Sequence, residues 1–159
     1  MKTGIFVGTF DPFTIGHDNI VRRALPLFDR LVIGVVGDNV HKPQMSKAAD
    51  RMAAISQLYA DEPAIEVMPF YGLAVDFARS VGAKFIVKGV RSVKDFEYER
   101  EMADVNRQIA GIETILLYAE PQLASISSTL VRELQHFGAD VSQFLPKRKS
   151  EVRGKKLRR

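Results

Sequence analysis

The sequence contains no cysteine, which excludes disulfide bonds, thiolate metal ligands and a covalent cysteine intermediate. It also lacks any apolar stretch near the roughly 18 residues that cross a bilayer, and the apolar run after Met1 is too short for a signal peptide. We therefore expect a cytoplasmic protein that does not enter the membrane. Neither an internal repeat nor a Pro/Gly-rich linker interrupts the chain, which favours one domain.

Charge is unevenly distributed along the 159 residues. The net charge of the whole chain is +4. Residues 147–159 contain eight Lys or Arg and one Glu and have a net charge of +7, so the other 146 residues have a net charge of −3. We predict one domain over residues 1–146, followed by a basic, flexible tail over residues 147–159. A basic tail can bind polyanions, but the acidic body argues against nucleic acid as the main partner.

Five short apolar runs recur along the chain and predict β-strands. Several are continuously apolar rather than alternating, as expected for a parallel sheet that is covered by helices on both faces. The runs are GIFVG (4–8), LVIGVVG (31–37), IEVM (65–68), KFIVKG (84–89) and TILLY (114–118).

Amphipathic stretches between these runs predict helices. Apolar residues share one helical face in three of them, namely Ile20, Val21, Ala24 and Phe28, then Met52, Ile55 and Tyr59, and later Met102, Val105 and Ile109. Strands that alternate with helices predict an α/β fold with a Rossmann-like, open, parallel five-stranded sheet. In such sheets ligands bind at the carboxyl ends of the strands, where four polar clusters occur, at residues 8–17, 38–42, 88–99 and 119–129.

The first polar cluster is GTFDPFTIGH, residues 8–17, between the first predicted strand and the first predicted helix. Gly8 allows a sharp turn, Pro12 stiffens the loop, and Gly16 allows a ligand to approach the helix N-terminus closely. A helix start presents free N–H groups to an anion, and His17 can reach a phosphate oxygen from the first turn. This cluster therefore predicts a phosphate site.

Two further clusters carry groups that suit a nucleotide. KGVRSVKDFEYE, residues 88–99, includes Arg91, whose guanidinium suits phosphate oxygens, although Arg91 and Glu99 could instead form a surface ion pair. ISSTLVRE, residues 126–133, places successive hydroxyl groups at a helix start, where they can cap the helix or donate to a triphosphate.

These motifs resemble those of the phosphopantetheine adenylyltransferase family, within the nucleotidylyltransferase superfamily. TIGH resembles the superfamily signature (H/T)xGH, and ISSTLVR resembles ISSTxxR. GTFDPFTIGH and KGVRSVKDFEYE resemble longer motifs of the family itself. The resemblance covers roughly residues 3–146, including FDRLVIG, LAVDFAR and DVSQFLP.

The resemblance implies a set of site residues. It assigns catalysis to His17, Thr9, Lys42, Arg91 and Ser128. It assigns the acceptor to Thr9, His41, Lys42, Ala74 and Lys88, with no metal held by protein side chains. It assigns ATP binding to Thr9, Phe10, His17, Gly89, Val90, Arg91, Glu99, Leu123, Ala124, Ser125, Ile126, Ser127, Ser128 and Thr129.

The chain departs from the family pattern at two positions. Lys88 replaces the usual arginine, which keeps the charge but loses the bidentate geometry toward a phosphate. Where the family has a lysine after the second strand, counting from LVIG gives His41, with Lys42 next. A loop shift of one residue would select Lys42, whose permanent charge suits a phosphate site, so both residues stay candidates.

The implied reaction transfers AMP from ATP to 4′-phosphopantetheine and yields dephospho-coenzyme A and pyrophosphate. Mg²⁺ would be bound mainly through the phosphates of ATP, because the sequence shows no clustered carboxylates of the two-metal kind. The resemblance also implies a homohexamer. Alternatives are a nicotinamide-nucleotide adenylyltransferase or a cytidylyltransferase, against which FEYE argues, and a catalytically silent homologue, against which the retained motifs argue.

Overall fold

The computed structural model describes residues 1–38 and 46–156, with side chains of the last helix described as far as Val152. His41 and Lys42 lie outside the described residues. The five strands are β1 (Thr3–Gly8), β2 (Arg30–Val36), β3 (Ile65–Phe70), β4 (Phe85–Val90) and β5 (Glu113–Tyr118). The helices are α1 (Ile15–Ala24), α2 (Ala48–Leu58), α3 (Ala74–Ser80), α4 (Val93–Ala110), α5 (Ser128–His136) and α6 (Lys149–Lys156).

The strands form one parallel sheet in the order β3-β2-β1-β4-β5. All five predicted strands are confirmed, with bounds that differ by at most two residues. The chain moves outward from β1 to β3 and then returns to place β4 on the other side of β1. The order of strands therefore switches between β1 and β4, which is where an open α/β sheet binds ligands.

Helices cover both faces of the sheet, as predicted. Neighbouring residues of one strand point to opposite faces, so Phe6 joins the core under α1 and α2 whereas Ile5 joins the core under α3. Ile86 and Val87 on β4 divide in the same way. This two-sided burial explains the continuously apolar runs in the sequence.

The first predicted helix ends earlier than its apolar periodicity indicates. Pro26 follows in a short 3₁₀ turn over residues 25–27, and α1 ends at Ala24 because proline cannot continue the hydrogen-bonding pattern. Phe28 is therefore extended rather than helical, but it is still buried. Its ring fills the space above Gly4, where an added Cβ would lie 2.7 Å from the ring.

The apolar face predicted on α4 is not part of the core. Met102, Val105 and Ile109 lie on this helix, but they are 40, 47 and 54% exposed. α4 has no buried residue, although it packs beside β4 and β5 and ends normally at Gly111 in the left-handed conformation. Within the described chain these three side chains form an exposed apolar stripe on α4.

Candidate active site

A cavity of about 380 Å³ opens at the carboxyl ends of β1 and β4. This volume is in the range of small-molecule sites. The cavity lies at the switch in strand order, and the N-termini of α1 and α5 both border it. Two helix N-termini supply partial positive charge and N–H donors, which favours a phosphorylated ligand.

The structure brings residues of all three sequence motifs to this cavity. The predicted site residues that line it are Thr9, Phe10, His17, Lys88, Gly89, Arg91, Glu99, Leu123, Ile126, Ser127, Ser128 and Thr129. Val90, Ala124, Ser125 and Ala74 do not line it. The side chain of Val90 is buried in the protein interior, so it presents no side chain to this space.

The loop from Thr9 to Phe13 makes its sharp turn at Phe10 rather than at Gly8. Phe10 has a φ of 54°, in the left-handed region that a non-glycine residue adopts at a cost of about 1–2 kcal/mol. Gly8 is needed for a different reason, because a Cβ at this position would lie 2.8 Å from the Phe10 ring. The expectation that Gly8 makes the turn is therefore wrong.

His17 is held by the first turn of α1. The main-chain N–H of Thr14 donates to His17 Nδ1 over 2.9 Å, and Thr14 caps the helix. A backbone N–H can only donate, so Nδ1 accepts and the proton of the neutral ring is on Nε2. Nε2 is thus available as a donor.

The surroundings of His17 favour its neutral form. The rings of Phe6, Phe10 and Phe13 have centroids 6.4, 5.1 and 5.2 Å from the imidazole centroid. Burial among these rings lowers the His17 pKa to about 4, and the nearby Arg91 charge acts in the same direction. At neutral pH His17 is therefore an uncharged hydrogen-bond donor.

Two cations and two carboxylates also line the cavity. Arg91 Nε lies 3.2 Å from Asp95 Oδ2, and Lys88 Nζ lies 3.7 Å from Glu99 Oε2. The alternative pairing of Arg91 with Glu99 is therefore not observed. Asp95, which sequence reasoning missed, also accepts from the Arg91 main-chain N–H and so orients this residue. A bound phosphate would compete with both carboxylates for their cations.

The hydroxyl groups at the start of α5 have distinct partners. Ser127 caps the helix by accepting from the Leu130 N–H over 3.1 Å, whereas Ser128 Oγ donates to the Pro12 carbonyl over 2.7 Å. Arg132, the last residue of the ISSTLVR motif, donates to the Asp11 carbonyl over 2.6 Å. α5 thus fixes the loop that precedes His17, besides bordering the cavity.

Gly89 and Ile20 define the floor of the cavity between β4 and α1. A Cβ at Gly89 would lie 3.1 Å from Ile20 Cγ1, so any side chain here would crowd the helix. The sequence motif predicted Gly89, but Ile20 gave no signal beyond its apolar periodicity.

Across the described residues no group of three His, Asp or Glu side chains is arranged to hold a metal ion. None of the described helices is long and apolar enough to span a membrane.

Comparisons with known proteins identify the family of the chain. Residues 5–134 match the sequence model of the cytidylyltransferase-like family, the class of protein that the sheet order and the cavity define. The chain is 54% identical over 146 residues to a phosphopantetheine adenylyltransferase from Phocaeicola vulgatus, covering 92% of this chain and 96% of that protein. A relative of the same name from Leuconostoc citreum is 45% identical over 148 residues, covering 92 and 93%. The chain belongs to the phosphopantetheine adenylyltransferase family.

A solved structure supports the fold alone. The lipopolysaccharide core biosynthesis protein from Thermoplasma volcanium matches with a TM-score of 0.56 and 21% sequence identity, over 76% of this chain and 97% of that one. The predicted parallel α/β fold is confirmed.

Proposed function

We propose that the protein transfers the adenylyl group of ATP to 4′-phosphopantetheine, giving dephospho-coenzyme A and pyrophosphate in coenzyme A biosynthesis. The observation that carries this proposal is the convergence of His17, Arg91 and the start of α5 on one cavity at the β1/β4 switch. Relatives at 45–54% identity bear the name of this activity. The FEYE segment, which argues against the neighbouring enzyme classes, contributes Glu99 to the same cavity.

The reaction is an in-line displacement at the α-phosphorus of ATP. An oxygen of the acceptor phosphate forms a bond to this phosphorus, and the bond to the bridging oxygen of the β-phosphate breaks. A phosphomonoester has a second pKa of about 6, so the acceptor is already ionised at neutral pH and needs no general base. Catalysis then consists of positioning and charge stabilisation.

His17 has the chemistry to stabilise the charge that develops on the α-phosphate. A neutral ring with its proton on Nε2 donates one oriented hydrogen bond, and the bond to Thr14 keeps that nitrogen aimed away from the main chain. The helix starts of α1 and α5 and the side chains of Lys88 and Arg91 add positive potential around the phosphates.

The acceptor phosphate is proposed to contact Thr9, Lys88 and a cation from the segment that contains His41 and Lys42, with Ala74 nearby. Mg²⁺ is proposed to arrive as the ATP complex and to neutralise charge on the leaving pyrophosphate. This fits a wall whose two carboxylates, Asp95 and Glu99, already pair with cations. The proposed compartment is the cytoplasm.

We also propose a homo-oligomer, a hexamer as the family resemblance implies. The exposed apolar stripe on α4 supports this, because such side chains commonly mark a protein–protein interface. A second copy of the chain would cover the stripe.

Pyrophosphate release from MgATP tests the function. We expect release that depends on 4′-phosphopantetheine, with dephospho-coenzyme A formed in equal amount. Nicotinamide mononucleotide and glycerol phosphate serve as comparison acceptors and should give little product. Turnover with either of them at a rate equal to that with phosphopantetheine would contradict the proposal.

A further inference from the structure

Tyr59 places a polar group in the core at the C-terminal end of α2. It is the residue at which this helix ends, and only 3% of its surface is exposed. Its ring belongs to the same core as Met52 and Ile55, which explains why the ring is buried but does not explain the hydroxyl group. A buried tyrosine hydroxyl group needs a hydrogen-bond partner, because its burial without one is costly.

The partner of this hydroxyl group is Asp18, in the first turn of α1. The Tyr59 hydroxyl group donates to Asp18 Oδ1 over 2.6 Å, and Arg22 Nε donates to Asp18 Oδ2 over 2.9 Å. Burial raises the pKa of Tyr59, and the Asp18 charge acts in the same direction, so the hydroxyl group keeps its proton as the donor. Both oxygens of the Asp18 carboxylate are therefore held by side chains.

A continuous series of hydrogen bonds connects Tyr59 to His17. The main-chain N–H of Asp18 donates to the Thr14 carbonyl over 3.0 Å, and the Thr14 N–H donates to His17 Nδ1 over 2.9 Å. Thr14 is only 1% exposed, so water has little access to compete for these bonds. The Asp18 side chain thus anchors the same helical turn that orients the imidazole.

The ring of Tyr59 supports this turn at its other end. It contacts the Phe13 ring edge to face, with centroids 6.1 Å apart and planes at 90°, and the Phe13 ring centroid lies 5.2 Å from that of His17. Phe13 directly precedes Thr14 in the chain. Tyr59 therefore contacts residues on both sides of Thr14. None of Phe13, Asp18 and Tyr59 lines the ligand cavity.

We propose that Tyr59 is a positioning residue for His17, which fixes the first turn of α1 through Asp18 and Phe13. The effect on turnover rests on the proposed function, whereas the effect on the imidazole does not. Because Tyr59 lies outside the cavity, it acts on the reaction only through the orientation of His17. A misdirected donor lowers transition-state stabilisation more than it lowers ATP affinity, so the hydroxyl group contributes mainly to kcat.

Tyr59→Phe tests this, because it removes only the hydroxyl group and keeps the ring against Phe13. We expect kcat to fall about three- to tenfold, while the Kd of ATP stays within about twofold. NMR of ¹⁵N-histidine-labelled protein at pH 7.5 gives a readout besides activity. The His17 nitrogen shifts of the wild-type protein should show the proton on Nε2, and those of the variant should move toward the values of a ring that exchanges between tautomers.

Tyr118→Phe is the matched control. It removes the hydroxyl group of an exposed tyrosine at the end of β5, so kcat and the His17 shifts should stay at the wild-type values. An unchanged His17 tautomer in folded Tyr59→Phe protein, a kcat within twofold of the wild-type value, or equal losses in kcat and ATP affinity would overturn the inference.

A double-mutant cycle tests the route through Asp18. Asp18→Ala removes the acceptor, so adding Tyr59→Phe to this variant should lower kcat by less than about twofold further. Fully additive losses would contradict the route. If Asp18→Ala does not fold, Tyr59→Phe and its control decide. Wild-type protein without phosphopantetheine-dependent turnover would refute the proposed function, and the His17 shifts would still test the orientation of the ring.

Discussion

His17 faces two opposing demands at the residue scale. A bound phosphate would favour a positively charged histidine. The aromatic rings around His17 and the neighbouring Arg91 instead disfavour its protonated form. The Thr14 N–H bond resolves the conflict by holding a neutral ring with Nε2 as the donor. A neutral donor stabilises charge that appears only in the transition state and does not add to the ground-state attraction for ATP.

We expect His17→Ala to lower kcat by a factor on the order of 10²–10³ and to leave the Kd of ATP within about threefold. Turnover and ATP binding should be measured in the same preparation. His136→Ala is the control, because His136 is an exposed histidine at the end of α5. A folded His17→Ala protein with wild-type kcat would remove His17 from its role.

The lowered pKa of His17 also links stability to pH. Its folded value is about 4 against 6.5 for an unperturbed histidine, so the unfolded chain binds more protons between these values. His17 should therefore destabilise the fold as pH falls from 6.5 toward 4, by an amount that reaches about 2 kcal/mol at pH 5.

Urea unfolding of the wild-type and His17→Asn proteins at pH 7.5 and pH 5, at one protein concentration, measures this linkage. The wild-type protein should lose more stability than the variant between the two pH values, because asparagine does not titrate. Equal losses would show that His17 titrates normally in the folded state.

At the scale of the elements, the start of α1 combines a tight loop with open space. A Cβ at Gly8 would collide with the Phe10 ring, whereas a Cβ at Gly16 would lie 3.4 Å from Thr14 Oγ1, an ordinary contact. Both glycines border the cavity. The packing of the loop therefore requires glycine at position 8, whereas glycine at position 16 leaves space for a ligand.

We expect Gly8→Ala to lower the free energy of unfolding by about 1–3 kcal/mol, because the Phe10 ring must move. Gly16→Ala should preserve stability, since alanine favours a helix by about 1 kcal/mol over glycine, but its methyl group should raise KM for ATP. Thermal unfolding and steady-state kinetics on both variants test this. Unchanged ATP affinity in Gly16→Ala would show that the ligand does not approach the helix start.

The elements also show how far sequence reasoning reaches. Strand positions and the phosphate loop follow from local patterns, so the five strands and the His17 cluster were predictable. The contacts of Arg51 and Arg132 were not, because each bonds to a carbonyl group of a distant segment, although Arg132 itself belongs to the ISSTLVR motif. For Arg51 the sequence offers one signal. It is a charged residue four positions before the apolar Ile55, so both lie on the same face of α2, and that face is buried.

At the scale of the whole molecule, the apolar stripe on α4 is the feature that the single chain leaves unexplained. Periodicity correctly identified a helix, but it could not distinguish a face that packs on the core from a face that is exposed on the single chain. A face that is covered by a second chain would show the same periodicity as a core face, because both avoid water for the same reason.

We expect Val105→Glu to shift the protein to a smaller species, because the substitution places a charge in the centre of the stripe. Size-exclusion chromatography with light scattering measures the mass. Arg100→Glu introduces the same residue on the opposite side of α4 and should leave the mass unchanged. A Val105→Glu protein with the wild-type mass would exclude the stripe from the interface.

The basic tail returns to the body of the protein at a point away from the cavity. Arg148 Nη2 lies 3.0 Å from Asp61 Oδ1, and Lys149 pairs with Glu62, just after α2. Such exposed ion pairs contribute about 0–1 kcal/mol each, and none of the tail residues described lines the cavity.

We therefore expect truncation after Lys147 to lower the melting temperature slightly. The kinetic constants for ATP and phosphopantetheine should change by less than about tenfold. The full-length double variant Arg148→Ala, Lys149→Ala should show the same loss of stability if the two ion pairs account for it. A change in either KM beyond about tenfold on truncation, but not in the double variant, would place the rest of the tail in the site.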